Sequence, residues 1–118
     1  MSIADFLKKL GTAPNDITFM DTMEVIEEHY YFEPVKFTNG RMVNEAGQNS
    51  GSCKLFSFAK LQGLNEAETL ACFGDYYRCD VLKNPQGEDH QNIRNFMKTG
   101  WGGVAFEKDA LTKKQSPL

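Results

Sequence analysis

The sequence has little positive charge, few histidines, no CxxC pair and no long apolar run, and each shortage removes a class of function. Lys and Arg number 13 against 16 Asp and Glu, a net charge of −3. The largest basic runs are the pairs Lys8–Lys9 and Lys113–Lys114. Neutralising phosphates needs a basic face, so nucleic acid is excluded as a partner. No stretch approaches the ~20 apolar residues of a membrane span, and no membrane partner is expected. Three cysteines, Cys53, Cys72 and Cys79, are an odd number, which argues against a disulfide scaffold or a thiolate zinc site and for a reducing compartment. The two histidines, His29 and His90, are too far apart in sequence for metal-ligand spacing. No metal and no cofactor is expected.

What is present suits one globular domain. The chain has 118 residues, 41% of them hydrophobic, with nine Phe against one Trp and four Tyr, so a Phe-rich core is expected. Residues 1–108 read as a single domain and 109–118 as a frayed tail. Ser2 with Asp5 starts a helix whose stripe is Ile3, Phe6, Leu7 and Leu10, stopped by Gly11. Asn15 or Asp16 caps a second helix with the stripe Phe19, Met23, Ile26 and Tyr30. "YYFEPVKFTNGRMV" then turns aromatic and β-branched. Its Asn39–Gly40 is a strong hairpin signal, giving short strands near residues 31–33, 35–38 and 41–44, with Pro34 at an edge or bulge.

Helices follow from about Cys53 to Gln62, from the Asn65–Glu68 capping pattern toward Gly74, and over "YYRCDVLK". A last helix, "HQNIRNFMKT", is capped by Asp89 and stopped by Gly100, and "WGGVAFE" reads as a closing strand. The fold class is α+β, mainly α: five or six short helices with a small antiparallel sheet.

Two segments concentrate chemistry. "AGQNSGSCK" (residues 46–54) imitates a phosphate loop, but a Walker loop places its lysine directly after the second glycine. Lys54 instead falls inside the following helix, so nucleotide binding there is rejected. The loop reads as a strand-to-helix turn capped by Ser50 or Ser52. At ~100° per residue, Cys53, Ser57 and Lys60 share a stripe off the apolar side, which predicts an exposed thiol at a helix start, modestly reactive. In "GDYYRCDVL", Asp75 and Arg78 are i, i+3 neighbours, and Tyr76 and Asp80 are i, i+4 neighbours. A half-buried helix with paired charges is the plainer reading. A recognition surface is the sharper one, since Tyr and Arg are frequent at binding hot spots.

In series, "AGQNSGSCKLFSFAKL", "LACFGDYYRCDVL", "GEDHQNIRNFM" and "GWGGVAF" resemble the HopJ type III effector family, over nearly the whole chain from the first helix to Phe106. The resemblance implies a small bacterial protein akin to effectors delivered through a type III secretion system. It brings no catalytic residues to carry onto Cys53, His90 or Arg78. Because "MSIADFLKKLG" reads as a capped amphipathic helix rather than an unstructured leader, residence in the bacterial cytoplasm is expected, with secretion the alternative.

The functional expectation is a non-enzymatic, monomeric binding or effector-like protein, recognising an unknown protein or small-molecule ligand through a groove. Three segments would wall it: Asn44, Asn49 and Ser52 from the loop; Tyr76, Tyr77, Arg78 and Asp80 from the Tyr–Arg helix; His90, Asn92 and Arg94 from the last helix start. The alternative is a small hydrolase or transferase with Cys53 as nucleophile and His90 as base. It requires sulfur and imidazole within about hydrogen-bond reach.

Overall fold

The computed structural model describes residues 1–114. It is a mainly α, α+β fold in which five α-helices and one π-helical turn surround two small antiparallel sheets. Helix α1 (Ile3–Thr12) is capped as its sequence predicts: the Ser2 hydroxyl accepts from the Asp5 amide at 3.0 Å, and Phe6 and Leu10 are buried. The helix runs through Gly11 rather than stopping there. Pro14–Asp16 form a 3-10 turn, so the cap of α2 (Phe19–His29) is Thr18, not Asn15 or Asp16. Thr18 and Asp21 exchange side-chain and backbone hydrogen bonds in a capping box. The bond from the Thr18 amide holds the Asp21 carboxyl below the usual carboxylate range.

Helix α3 (Ser50–Gln62) is the central element. Leu55, Phe56, Phe58 and Ala59 have no exposed surface, and Cys53 and Ser57 are buried as well. The predicted exposed stripe of Cys53, Ser57 and Lys60 is therefore corrected: of the three only Lys60 meets solvent. The physical reason is that α3 is covered on more than one side, by α2, by α4 (Glu66–Ala71) and by the last strand, so it buries more than one stripe. Phe6 and Tyr30 place their rings edge-on to Phe58. Phe37, Phe73, Phe96 and Trp101 surround Phe56 at centroid distances from 5.0 to 6.2 Å. Each such burial contributes about 1.5–3 kcal/mol.

Strand β2 (Phe37–Asn39) forms the Asn-Gly hairpin with β3 (Met42–Asn44), Gly40 taking the first loop position at φ +62°. On its other edge β2 pairs with β4 (Val104–Phe106). A second sheet joins β1 (Tyr30–Phe32) to β5 (Leu111–Lys113). Pro34 lies between β1 and β2, in neither strand. Strand β5 corrects the expectation of a frayed tail from residue 109, because Ala110 and Leu111 are buried and the Lys114 amide donates to the His29 carbonyl at 2.9 Å. Residues 115–118 of that expected tail lie outside the described residues.

Helix α4 carries the predicted capping box, Asn65 with Glu68. The chain then turns at Gly74, φ +64°, where an added Cβ would stand 2.7 Å from the Phe19 amide nitrogen. That close approach seats the end of α4 on the start of α2. The next segment was expected to be α-helical, but Tyr76–Val81 is a π-helical turn, with the Leu82 amide donating to the Tyr77 carbonyl at 3.0 Å. Helix α5 (Gln91–Thr99) begins after His90, and Gly100–Gly103 make a 3-10 turn into β4. No helix among the described residues is long and apolar enough to cross a membrane.

Candidate functional site

Two helices begin at one place. Asn49 and His90 are the residues that precede α3 and α5, and both hold the left-handed conformation, φ 51°. These are the two non-glycine residues with positive φ among the described residues. A left-handed backbone costs an ordinary L-residue about 1–2 kcal/mol. Neither residue caps its helix with its own side chain, and neither first turn holds an acid. Helices α1, α2 and α4, by contrast, are closed by Ser2, Thr18 and Asn65. The predicted caps Ser50, Ser52 and Asp89 are thus corrected. The Ser50 hydroxyl turns back to the Gly47 carbonyl at 3.5 Å, and the Asp89 carboxylate is taken by Arg94.

Between the two helix starts lies a cavity of about 450 Å³, lined on its polar side by Asn49, Ser52, Gln91 and Asn92. Such a volume falls within the range of small-molecule sites. Its other side is aromatic. Phe73 stacks on Phe19 at 6.3 Å, Phe19 meets Tyr76 at 5.1 Å, and Tyr76 meets the His90 ring at 5.1 Å. Gly51 keeps this row in place, since a Cβ there would stand 2.9 Å from the tip of the Phe19 ring. Among the described residues, no Lys, Arg, Asp or Glu lines the cavity.

His90 is oriented from outside: its Nε2 lies 3.0 Å from Asp80 Oδ2 and 3.8 Å from Asp89 Oδ2. Beneath the polar side the carboxamides form a buried network that includes Asn39 and Asn44, each without exposed surface, and Asn92, 5% exposed. Asn39 Nδ2 donates to the Asn92 carbonyl at 2.8 Å and to Asn92 Oδ1 at 3.1 Å. Asn44 Oδ1 accepts from Asn92 Nδ2 at 2.9 Å and from Asn49 Nδ2 at 2.7 Å.

Of the residues singled out in the sequence, Asn49, Ser52, Tyr76, His90 and Asn92 line this one cavity. Asn44 and Asp80 support it from behind. The remaining three do not wall it, and that expectation is corrected. Tyr77 packs against the core. Arg78 ties three backbone carbonyls together, Ile17 at 2.6 Å, Pro14 at 3.2 Å and Ala71 at 3.4 Å. Arg94 binds the Asp89 carbonyl and carboxylate, both at 2.6 Å, and the Asn84 carbonyl at 2.9 Å. Its guanidinium holds the Asp89 carboxyl below the usual carboxylate range. The half-buried Arg78 and the buried Arg94 do structural work, because each supplies several donors to backbone carbonyls of turns and helix ends.

Cys53 is not on the cavity. It is 2% exposed, its sulfur lies 3.9 Å from the Val35 carbonyl, and burial pushes its thiol up. No hydrogen bond joins it to His90, whose ring is engaged by Asp80 and Tyr76. The predicted reactive thiol and Cys53–His90 pair therefore do not form, because α3 turns the residue into the core. Sequence reasoning missed Phe19, Phe73 and Gly51 as cavity residues. The helical period of Phe19 suits a core residue equally well, and Gly51 has the look of a turn residue.

The family model of the HopJ type III effector protein matches residues 3–111. Among solved structures, the chain is similar to the crystal structure of a protein of unknown function, VPA0580. The two are 54% identical with a TM-score of 0.95, over 97% of this chain and 95% of that one. No curated protein matches the chain.

Proposed function

The chain belongs to the HopJ type III effector family, and from that premise we propose that it is a binding protein whose cavity, at the heads of α3 and α5, receives a small molecule or a side chain of a partner protein. The observation that supports this most is convergence. Asn49 and Ser52, Tyr76, and His90 and Asn92 come from three separate segments and line one cavity. Uncapped amides at both helix starts offer donors, the aromatic row offers an apolar face, and the asparagine network holds the polar side in one arrangement. Two left-handed residues maintain that arrangement at a conformational cost, as binding and switch sites commonly do. Covalent catalysis by cysteine has no support there, since Cys53 lies in the core. An effector delivered to a host would meet a host ligand and a resident bacterial protein a bacterial one; the same cavity serves either.

The test is a fragment screen on the full chain by protein-observed NMR. Binding compounds are expected to move the amide resonances of Asn49, Ser52, Tyr76 and Asn92 together, and to lose affinity in Tyr76→Ser. A broad screen that leaves those four resonances unmoved refutes the reading.

A further inference from the structure

Building on the proposed binding role of this cavity, we infer its ligand class: a planar nitrogen heterocycle that presents an N–H donor. The argument starts from one fixed point, the backbone carbonyl of Asn92. A carbonyl oxygen only accepts, so the Asn39 side-chain atom 2.8 Å from it is the nitrogen, Nδ2. That nitrogen also lies 3.1 Å from one terminal atom of Asn92, which must then be the oxygen, Oδ1. Asn92 therefore turns its own Nδ2 toward Asn44, whose facing atom is the acceptor Oδ1 at 2.9 Å. The same Asn44 oxygen receives Asn49 at 2.7 Å, so the Asn49 atom in that bond is Nδ2. Each amide has one oxygen end and one nitrogen end, and the chain of assignments leaves the Asn49 oxygen without a hydrogen bond among the described residues. Asn49 lines the cavity.

Gln91 ends the same way. Its Nε2 donates to the Glu88 carbonyl, and its Oε1 takes no hydrogen bond among the described residues. Asn49 and Gln91 are exposed, so these two carboxamide oxygens stand at the rim, where they have water but no donor from the described residues, and the half-buried Ser52 hydroxyl, free to donate or accept, stands with them. A ligand matched to this edge supplies N–H groups. The opposite side, from Phe73 through Phe19 and Tyr76 to His90, is a row of rings with successive centroids 5.1–6.3 Å apart, and rings of this kind favour a flat π-system. Among the described residues the lining carries no Asp or Glu to compensate a cation, so the donating nitrogen belongs to a neutral group. Flat, uncharged at the donating group and donating through nitrogen toward the rim: a lactam or amino-substituted heterocycle meets all three requirements.

The experiment titrates the full chain with uracil, with 1,3-dimethyluracil, which keeps the ring but has no N–H, and with cyclohexanol, which is not flat. Amide shifts of Asn49, Ser52, Tyr76 and Asn92 give the affinities. Uracil is expected to bind at least about tenfold more tightly than 1,3-dimethyluracil, the worth of about one hydrogen bond. Asn49→Gly accommodates the left-handed backbone and removes the oxygen. It should bring uracil down to the level of the methylated ring and weaken the methylated ring far less. Tyr76→Leu should weaken both rings. Equal binding of the two rings, or uracil binding unchanged in Asn49→Gly, overturns the inference. Cyclohexanol moving the four resonances as well as uracil does also overturns it, while leaving the binding role standing. If no probe moves them the inference fails, and the wider screen then decides whether the binding role fails with it.

Discussion

Asn49 and His90 hold the same left-handed angle, φ 51°, at the heads of two helices that open on one cavity. The two positions should respond alike to changes at Cβ. Glycine adopts this conformation at no steric cost, whereas alanine carries the full penalty. At His90, the glycine variant is expected to be more stable than the alanine variant by about 1 kcal/mol in urea denaturation, although glycine is ordinarily the more costly residue to order. The reverse ranking would show that His90 relaxes out of this conformation.

The asparagine network should behave as a unit. Asn92 makes hydrogen bonds to Asn39 and Asn44 while 5% exposed. Asn92→Ala removes three buried side-chain bonds and leaves Asn44 Nδ2 only the long contact to the Phe37 carbonyl at 3.5 Å, and a poorly satisfied buried group costs about 1–3 kcal/mol. Asn49→Gly removes one bond at the exposed rim and should cost less. In a double-mutant cycle Asn44→Ala and Asn92→Ala should be clearly non-additive, because they delete shared bonds. Additive losses would mean the network is not formed.

The cysteines predict an order of reactivity and a response to alkali. Cys79 is half-buried, whereas Cys53 and Cys72 are buried. Alkylation of the native protein should therefore reach Cys79 first, and Cys53 at a rate set by opening of the fold. Burial pushes the Cys72 thiol up from 9.0 to about 12. Between those values the unfolded chain has lost this proton and the folded chain has kept it, so fewer protons are bound on unfolding and stability falls as pH rises. The loss attributable to this group has a slope of at most about 1.4 kcal/mol per pH unit. Below pH ~8.5 it should vanish. Cys72→Ala should remove that component, read as a shrinking difference between the two proteins' stabilities from pH 9 upward.

How legible the molecule was depended on whether the cause lay within a few residues. The capping box of Asn65 and Glu68 and the hairpin signalled by Asn39–Gly40 are local; the box formed as read, and the hairpin formed with its loop one residue later, at Gly40 and Arg41. Failures came where a distant partner decided. Asp89 is a good cap by type, yet Arg94 occupies its carboxylate. Cys53 lies off one apolar stripe, yet α3 is covered on several sides and buries it. Strand β5 has too short a signal to stand out, and its pairing residues in β1 are remote in sequence. At the site, the polar residues stood out because Asn, Ser, Tyr and His are chemically conspicuous. The aromatic wall did not, since a phenylalanine on a cavity and one in the core have the same period.

Gly51 offers the sharpest separation of fold from cavity. It lies in the first turn of α3 and its φ is not in the left-handed region, so alanine there suits the helix and gains up to about 1 kcal/mol of propensity. What the methyl meets is the far end of one side chain, the Phe19 ring tip at 2.9 Å. Phe19 is only half-buried and can swing, but its neighbours in the ring row limit the directions open to it. Gly51→Ala should therefore stay within about 1 kcal/mol of the parent in stability while the displaced ring and the methyl narrow the cavity. Any compound bound between Asn49 and Tyr76 should weaken at least about tenfold, a loss of about 1.4 kcal/mol, with the helix content by circular dichroism unchanged. A variant that binds as well as the parent would show that the ligand does not reach the floor formed by Phe19. One that loses several kcal/mol of stability would show instead that the ring row is rigid.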